Sequence, residues 1–253
     1  MKSIRILSPL FILAVALLLS VLVSSCNNDL YDCTKKSGKI IRIERKVAAF
    51  KGLRIEDNID VVLFQDTSSV LVVEAGEQLI SGIETTVSDC LLILKNTNSC
   101  NWIRNAKIPV RVFVPVNHFR NIDYKGYGNV LTIDTLHLAY IQIDARDGSG
   151  SFRLMLDVDS SFLNIHEGVT DITLTGKCDF NYIYNNGIGP VNTNAFDANA
   201  VVLHHKGPGN CYVKALKSLD VTIEYSGNIY YEGNPSFIKS VVSGSGKLIK
   251  VGK

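Results

Sequence analysis

Six side chains able to bind or react recur two residues ahead of a run of glycine-marked corners: Tyr124, Arg146, His166, Asn185, His205 and Tyr225. In a stack of coils they would form a ladder with rungs about 4.8 Å apart. Phenol, guanidinium, imidazole and amide groups in a row suit a glycan or an extended peptide, and these six are the candidate ligand-binding residues. The competing reading is a structural stack. Ile122, Ile183, Leu203 and Ile223 stand two residues earlier and share a face with the ladder by strand alternation. That points the face at the interior, so burial of the ladder is the expectation.

Other reactive groups lead away from catalysis and metals. Clustered aspartates with a basic clamp would be needed to hydrolyse an acidic polysaccharide, and no Asn-Thr-Asp, Asp-Asp or Gly-His-Gly run occurs. Glu56, Asp57 and Asp60 fit a solvated strand edge. Gly148-Ser149-Gly150-Ser151 is a corner rather than a nucleophile elbow, with its hydroxyls expected to cap turn amides. His204 and His205 are strand neighbours facing opposite ways, so they cannot share a metal. The cysteines have no histidines at zinc-site spacing. No catalytic residue, metal or cofactor is expected.

The elements that must position these groups are strands. Gly126-Tyr127-Gly128, Gly148-Ser149-Gly150, Gly168, Gly187-Ile188-Gly189, Gly207-Pro208-Gly209, Gly227 and Gly244-Ser245-Gly246 follow one another at intervals of 17 to 22 residues. Self-similarity at this period is the signature of a solenoid. Each period reads as two short strands joined by a polar turn, such as Val130 to Asp134 and Ile141 to Asp144. Glycine suits the corner by reaching positive φ and by leaving room for the coil above. The fold class is therefore all-β, a parallel β-helix-like solenoid with coils of about 20 residues and Gly-x-Gly corners. Only Glu77 to Gly82 offers a helical turn. A second surface candidate is the loop from Asn98 to Asn105 with Trp102, the sole tryptophan.

Residues 1–25 read as an export signal, with Lys2 and Arg5 ahead of an apolar run from Leu10 to Val23. The run ends in Val23-Ser24-Ser25-Cys26, which looks like a bacterial lipobox with Cys26 as the lipidation site. Residues 26–39 form a polar tether, and residues 40–253 a single domain. Removing the signal takes away two bases and no acid and leaves 24 of each sign, so nothing favours nucleic acid as a partner. Five cysteines then remain. Cys33 and Cys100, in polar surroundings, are the best disulfide pair, and their loop of about 67 residues is worth roughly 4 kcal/mol in the chain-entropy model. Cys90, beside Leu91 and Leu92, reads as a small buried thiol.

Several segments carry a resemblance. They are Phe50-Lys51-Gly52-Leu53-Arg54-Ile55, Asn58-Ile59-Asp60-Val61, Glu74-Ala75-Gly76-Glu77, Ile83-Glu84-Thr85-Thr86-Val87 and Val110-Arg111-Val112-Phe113-Val114-Pro115. In this order and spacing, with the Gly-Ser-Gly corners at Gly148 and Gly244, the chain from Ile40 to Lys253 resembles the head GIN domain family of auto-transporter adhesins. The resemblance implies a solenoid shaped like pectin lyases and suggests adhesion. It brings no catalytic residues.

The resulting expectation is a non-enzymatic adhesion or glycan- or peptide-binding module of the cell envelope. Its N-terminal lipid would hold it to a membrane, the outer membrane of a Gram-negative bacterium, with a glycan or an extracellular protein as its other partner. A degenerate polysaccharide-active enzyme, or a purely structural envelope protein, are the alternatives.

Overall fold

The computed structural model describes residues 37–98 and 110–252. Cys26, Cys33, Cys100 and Trp102, with the lipidation, disulfide and loop assignments that rest on them, lie outside the described residues. Among these, regular structure is β except for a 3-10 turn at Ile80–Gly82, inside the segment expected to turn once.

The head is built of short strands: β1 (Ile40–Lys46), β2 (Gly52–Asp57), β3 (Asp60–Gln65), β4 (Val70–Gly76), β5 (Ile83–Ser88), β6 (Leu91–Asn96), β7 (Arg111–Val116), β8 (Asn121–Gly126) and β9 (Val130–Thr132). The body comprises β10 (Leu136–Ala145), β11 (Ser151–Ile165), β12 (Asp171–Asn185), β13 (Val191–His205) and β14 (Cys211–Ile223). β15 (Ile229–Glu232), β16 (Phe237–Val242) and β17 (Leu248–Lys250) form the tail. All 17 strands join one wrapped sheet, a β-solenoid, and β10 to β14 stack in parallel.

Each coil has a first leg running into a glycine corner and a second leg leaving it. The sequence suggested a turn between one second leg and the next first leg. In the body there is none. β11, β12 and β13 each run 15 residues through that point as single bent strands. The ladder between β11 and β12 continues on both sides of the bend, from Met155–Thr175 to Ser160–Phe180. What marks the bend is a slip in alternation: Asp159 and Ser160 both face outward, and inward residues resume at Ser161. A hydrogen-bonded bend satisfies backbone groups that an open turn would leave to water.

The head departs from simple stacking. β2 bonds to both β6 and β8, and β3 to both β7 and β9. The first coil in sequence, β2–β3, is thus inserted between the second and the third. Antiparallel strands close this end: β4 against β7, β1 against β4, and β5 against β6. The nearly buried Glu74 carboxylate fastens the cap, accepting from Arg42 Nε at 2.7 Å and from Arg111 Nη1 at 2.9 Å. β5 and β6 meet in a tight turn at Asp89 (φ 51°) and Cys90 (φ 61°). Cys90 is therefore exposed, not buried. Its apolar neighbours belong to β6, whereas the thiol sits at the hairpin tip, where both central residues take positive φ.

Corner glycines are required by contact more than by φ. A Cβ on Gly150 would collide with the Gly128 carbonyl and the Tyr124 hydroxyl, and one on Gly189 with the Thr170 carbonyl. Neither glycine has a positive φ; among the body corners Gly168 does, at 95°. No helix of the described residues is long and apolar enough to cross a membrane.

Candidate functional site

Alternation along the first leg decides which side chains the solenoid presents. Inward go Ile122 and Tyr124 of β8, Ile143 and Ala145 of β10, Leu163 and Ile165 of β11, and Ile183 and Asn185 of β12. Leu203 and His205 of β13 and Val221 and Ile223 of β14 continue the row. The paired column runs Tyr124, Ala145, Ile165, Asn185, His205, Ile223.

The six residues of the expected ladder are therefore not one ladder. Tyr124, Asn185 and His205 lie in this interior column, fully buried. Arg146 and His166 follow it by one residue and turn outward, and Tyr225, 55% exposed, sits in the corner beyond Ile223. The physical reason is corner length. Between column and glycine there is one residue at Gly126, Gly187 and Gly207, two at Gly148 and Gly168, and three at Gly227. A slip of one residue moves a side chain to the opposite face. Counting back from the glycines mixed the two faces.

Three buried polar groups do converge. Asn185 Nδ2 donates to Cys211 Sγ at 3.3 Å, and His205 Nδ1 lies 3.8 Å from the same sulfur. Cysteine, histidine and asparagine are the members of a thiol-nucleophile triad, but the chemistry is reversed here. Burial pushes the Cys211 thiol up to about 12 and the His205 imidazole below its ordinary value. A nucleophile needs the thiolate and an approach for substrate, and Cys211 has neither. Asn185 Oδ1 accepts from Gly187 N at 3.0 Å, so its amide holds the corner. Cys178 is likewise buried and pushed up to about 12.

The outward residues of the same legs form a continuous surface. Gln142, Phe162 and Tyr182 pair in one column, and Asp144, Asn164, Tyr184 and His204 in the next. Ring centroids lie 6.0 Å apart for Phe162–Phe180, 6.3 Å for Phe162–Tyr182, 5.9 Å for Tyr182–His204 and 5.8 Å for His166–Tyr184. These rings are half-buried against one another and still reach solvent. In-register parallel strands hold like positions one strand spacing apart, so the belt is rigid without any loop. Each such aromatic pair contributes on the order of 1 kcal/mol beyond its burial.

Toward the head the belt gives way to polar groups. Asp144 accepts from Gln142 Nε2 at 2.6 Å and from Asn164 Nδ2 at 3.1 Å. Asp123 accepts from Arg54 Nε at 2.8 Å. Toward the tail Lys239 pairs with Asp220 at 3.1 Å. The arrangement offers flat ring faces beside fixed carboxylate and amide acceptors. Phe162, Tyr182 and Tyr184 are the residues sequence reading missed; their signal was the aromatic at alternate positions of Asn181 to Tyr184, legible once the inward phase is known.

Remaining polar clusters are structural. Asp60 Oδ1 accepts from Asn129 N and Nδ2, at 2.8 and 3.1 Å, which ties two corners together. Ser151 Oγ donates to Asn129 Oδ1 at 2.7 Å rather than capping a backbone amide. At the bend Asp157, Lys177 and Asp197 alternate in sign down one column, with Lys177 3.3 Å from Asp157 and Lys214 2.8 Å from Asp197. Among the described residues no group of three histidine, cysteine or acidic side chains could hold a metal ion.

Similar proteins share this architecture. The structure of an adhesin candidate from Bacteroides fragilis superposes with a TM-score of 0.75 at 22% identity, covering 84% of this chain and 97% of that one. A protein from Parabacteroides distasonis described as a "putative lipid binding protein" gives 0.66 at 18% identity, covering 85% and 98%. An adhesin candidate from Parabacteroides merdae gives 0.60 at 18% identity, covering 87% and 99%. At these identities the likeness is one of fold. Among curated proteins nothing matches the chain. The family model described as "Putative auto-transporter adhesin, head GIN domain" matches residues 49–235. Matched over most of its length, and folded as its structural neighbours are, this chain belongs to the head GIN domain family.

Proposed function

We propose that the protein is an exported, lipid-anchored adhesion module that binds a glycan along the outer face of its first legs and catalyses no reaction. The observation carrying this reading is the belt of Phe162, Tyr182, Tyr184 and His204 beside the Asp144–Asn164 acceptors. Sugar rings have apolar C–H faces that stack on aromatic side chains, and hydroxyls that donate to carboxylates and amides. Membership of an adhesin family supports the same reading. The thiol-triad residues support it from the other side, since Cys211 is sealed in the core.

A glycan array probed with the full chain in detergent tests the binding. Binders that are lost in Tyr182→Ala support it, and an array without binders refutes it. The anchor rests on the lipobox at Cys26. Cell fractionation of Cys26→Ala should move the protein out of the membrane fraction; a variant that stays there at normal levels rules lipidation out.

One observation favours a polysaccharide-active enzyme instead. Arg54, Asp123 and Asp144 stand on successive strands of one outer face, as a hydrolytic site would need. Yet Asp144 is engaged by Gln142 and Asn164, and Asp123 by Arg54. Release of reducing ends from any glycan the array identifies would establish the enzymatic reading over the binding one.

A further inference from the structure

The outer face does not end with the aromatic belt. Headward, its two columns continue through Asn121 and Asp123 to Gly52 and Arg54, then to Leu91 and Ile93. Gly52 has no side chain at this position, and the Asn121 amide packs over it, where a Cβ on Gly52 would collide with it. Gly52 and Asn121 line a groove of about 590 Å³. The hairpin tip at Asp89 and Cys90 walls one side, and Arg120 with Tyr140 the other.

The charges in this groove are uneven. Arg54 is matched by Asp123. Arg120 and Lys51 are exposed and form no ion pair among the described residues; the Arg120 guanidinium rests over the Tyr140 ring at 5.8 Å. A guanidinium steadied on an aromatic face keeps its N–H donors free and loses little freedom on binding an oxyanion. Against the three cations Lys51, Arg54 and Arg120, the lining carries one acidic residue, Asp89 at the tip.

We infer that this groove is an anion subsite for a carboxylate-bearing sugar of the same glycan that lies on the belt. The inference rests on the glycan-binding reading and sharpens it to an acidic polysaccharide. Geometry supports one ligand across both. From Gly52 to Tyr182 is four strand steps, through β8, β10 and β11 to β12, or about 19 Å along a single flat face. A short oligosaccharide spans that distance. The carboxylate meets Arg120 and Lys51 through charge-assisted hydrogen bonds, while neutral ring faces stack on Phe162 and Tyr182.

The test compares an oligogalacturonate with its methyl ester, which keeps the rings and removes the charge, binding each to the full chain by calorimetry. The acid form should bind about ten-fold more tightly, with a strong salt dependence. Arg120→Ala, and separately Lys51→Ala, should remove most of that difference and leave ester binding unchanged. Equal affinity for both forms, or a difference that survives both substitutions, overturns the anion subsite and leaves the belt standing. Tyr182→Ala should weaken both forms alike. If neither form binds the unaltered chain, the anion subsite falls, and the glycan reading is decided by the array alone.

Discussion

Ser161 and Asn181 occupy the same inward position on adjacent strands, both fully buried, while Phe162 and Tyr182, one residue later, meet on the outside with ring centroids 6.3 Å apart. One pair of strand steps thus carries polar groups into the core and aromatic rings out to solvent. That inverts ordinary patterning, and the inward pair gains nothing visible: among the described residues Ser161 Oγ and both amide atoms of Asn181 have no hydrogen-bond partner.

The inward pair makes a first prediction. A buried amide without hydrogen bonds costs about 1–3 kcal/mol, and Asn181 is flanked in its column by Val201. Asn181→Val should therefore raise stability by about 1 kcal/mol, read as a higher midpoint in urea unfolding. A lower midpoint would show that the amide is satisfied in solution.

Corner packing makes the second. The space a side chain would need at Gly150 is filled by the Gly128 carbonyl and the Tyr124 hydroxyl, which donates to that carbonyl at 2.6 Å. Gly150→Val should lower stability by ~1–3 kcal/mol through overpacking, while Ser149→Ala, at an exposed neighbour, should leave the melt unchanged. Equal melts for the two variants would contradict the stacked corner.

Third, stability should depend on pH through His205. Burial lowers its pKa from the ordinary 6.5. Above that value neither folded nor unfolded chain holds the proton. As pH falls below it, the unfolded chain takes up a proton that the folded one refuses, so stability drops until the lowered folded value is reached. The slope from this group is at most ~1.4 kcal/mol per pH unit. Urea unfolding at about pH 7.5 and about pH 5.5 should show a smaller drop for His205→Leu than for the unaltered chain. An identical drop would mean that His205 is not desolvated.

Much of the fold was legible because its causes are local. Glycine recurs where one coil's corner abuts the next, as Gly150 does against Gly128, so the period could be read without pairing information. Register was not legible in the same way. The corners at Gly148 and Gly168 hold one more residue than that at Gly126, and nothing in composition tells an added corner residue from a strand residue. Arg146 and His166 were consequently placed with Tyr124, and the outward ring column of Phe162 and Tyr182 stayed hidden. The insertion of β2–β3 between two later coils was also beyond reach, because strands of six residues carry little sign of their partners. Cys90 shows the same limit at one residue: its apolar neighbours indicated burial, and the positive φ of a hairpin tip decided exposure.

The proposed binding surface is the outer aromatic belt, and not the glycine-adjacent ladder. Its most direct measurement is calorimetric affinity for the best glycan on the array, in Tyr182→Ala, Tyr184→Ala, Arg146→Ala and Tyr225→Ala. Removing a stacking ring at Tyr182 or Tyr184 should weaken binding about ten-fold each, with thermal melts within a few degrees of the unaltered chain. Arg146→Ala and Tyr225→Ala should bind normally. Normal binding by both Tyr182→Ala and Tyr184→Ala, with loss in Arg146→Ala or Tyr225→Ala, would instead put the ligand at the glycine corners and rule out the belt.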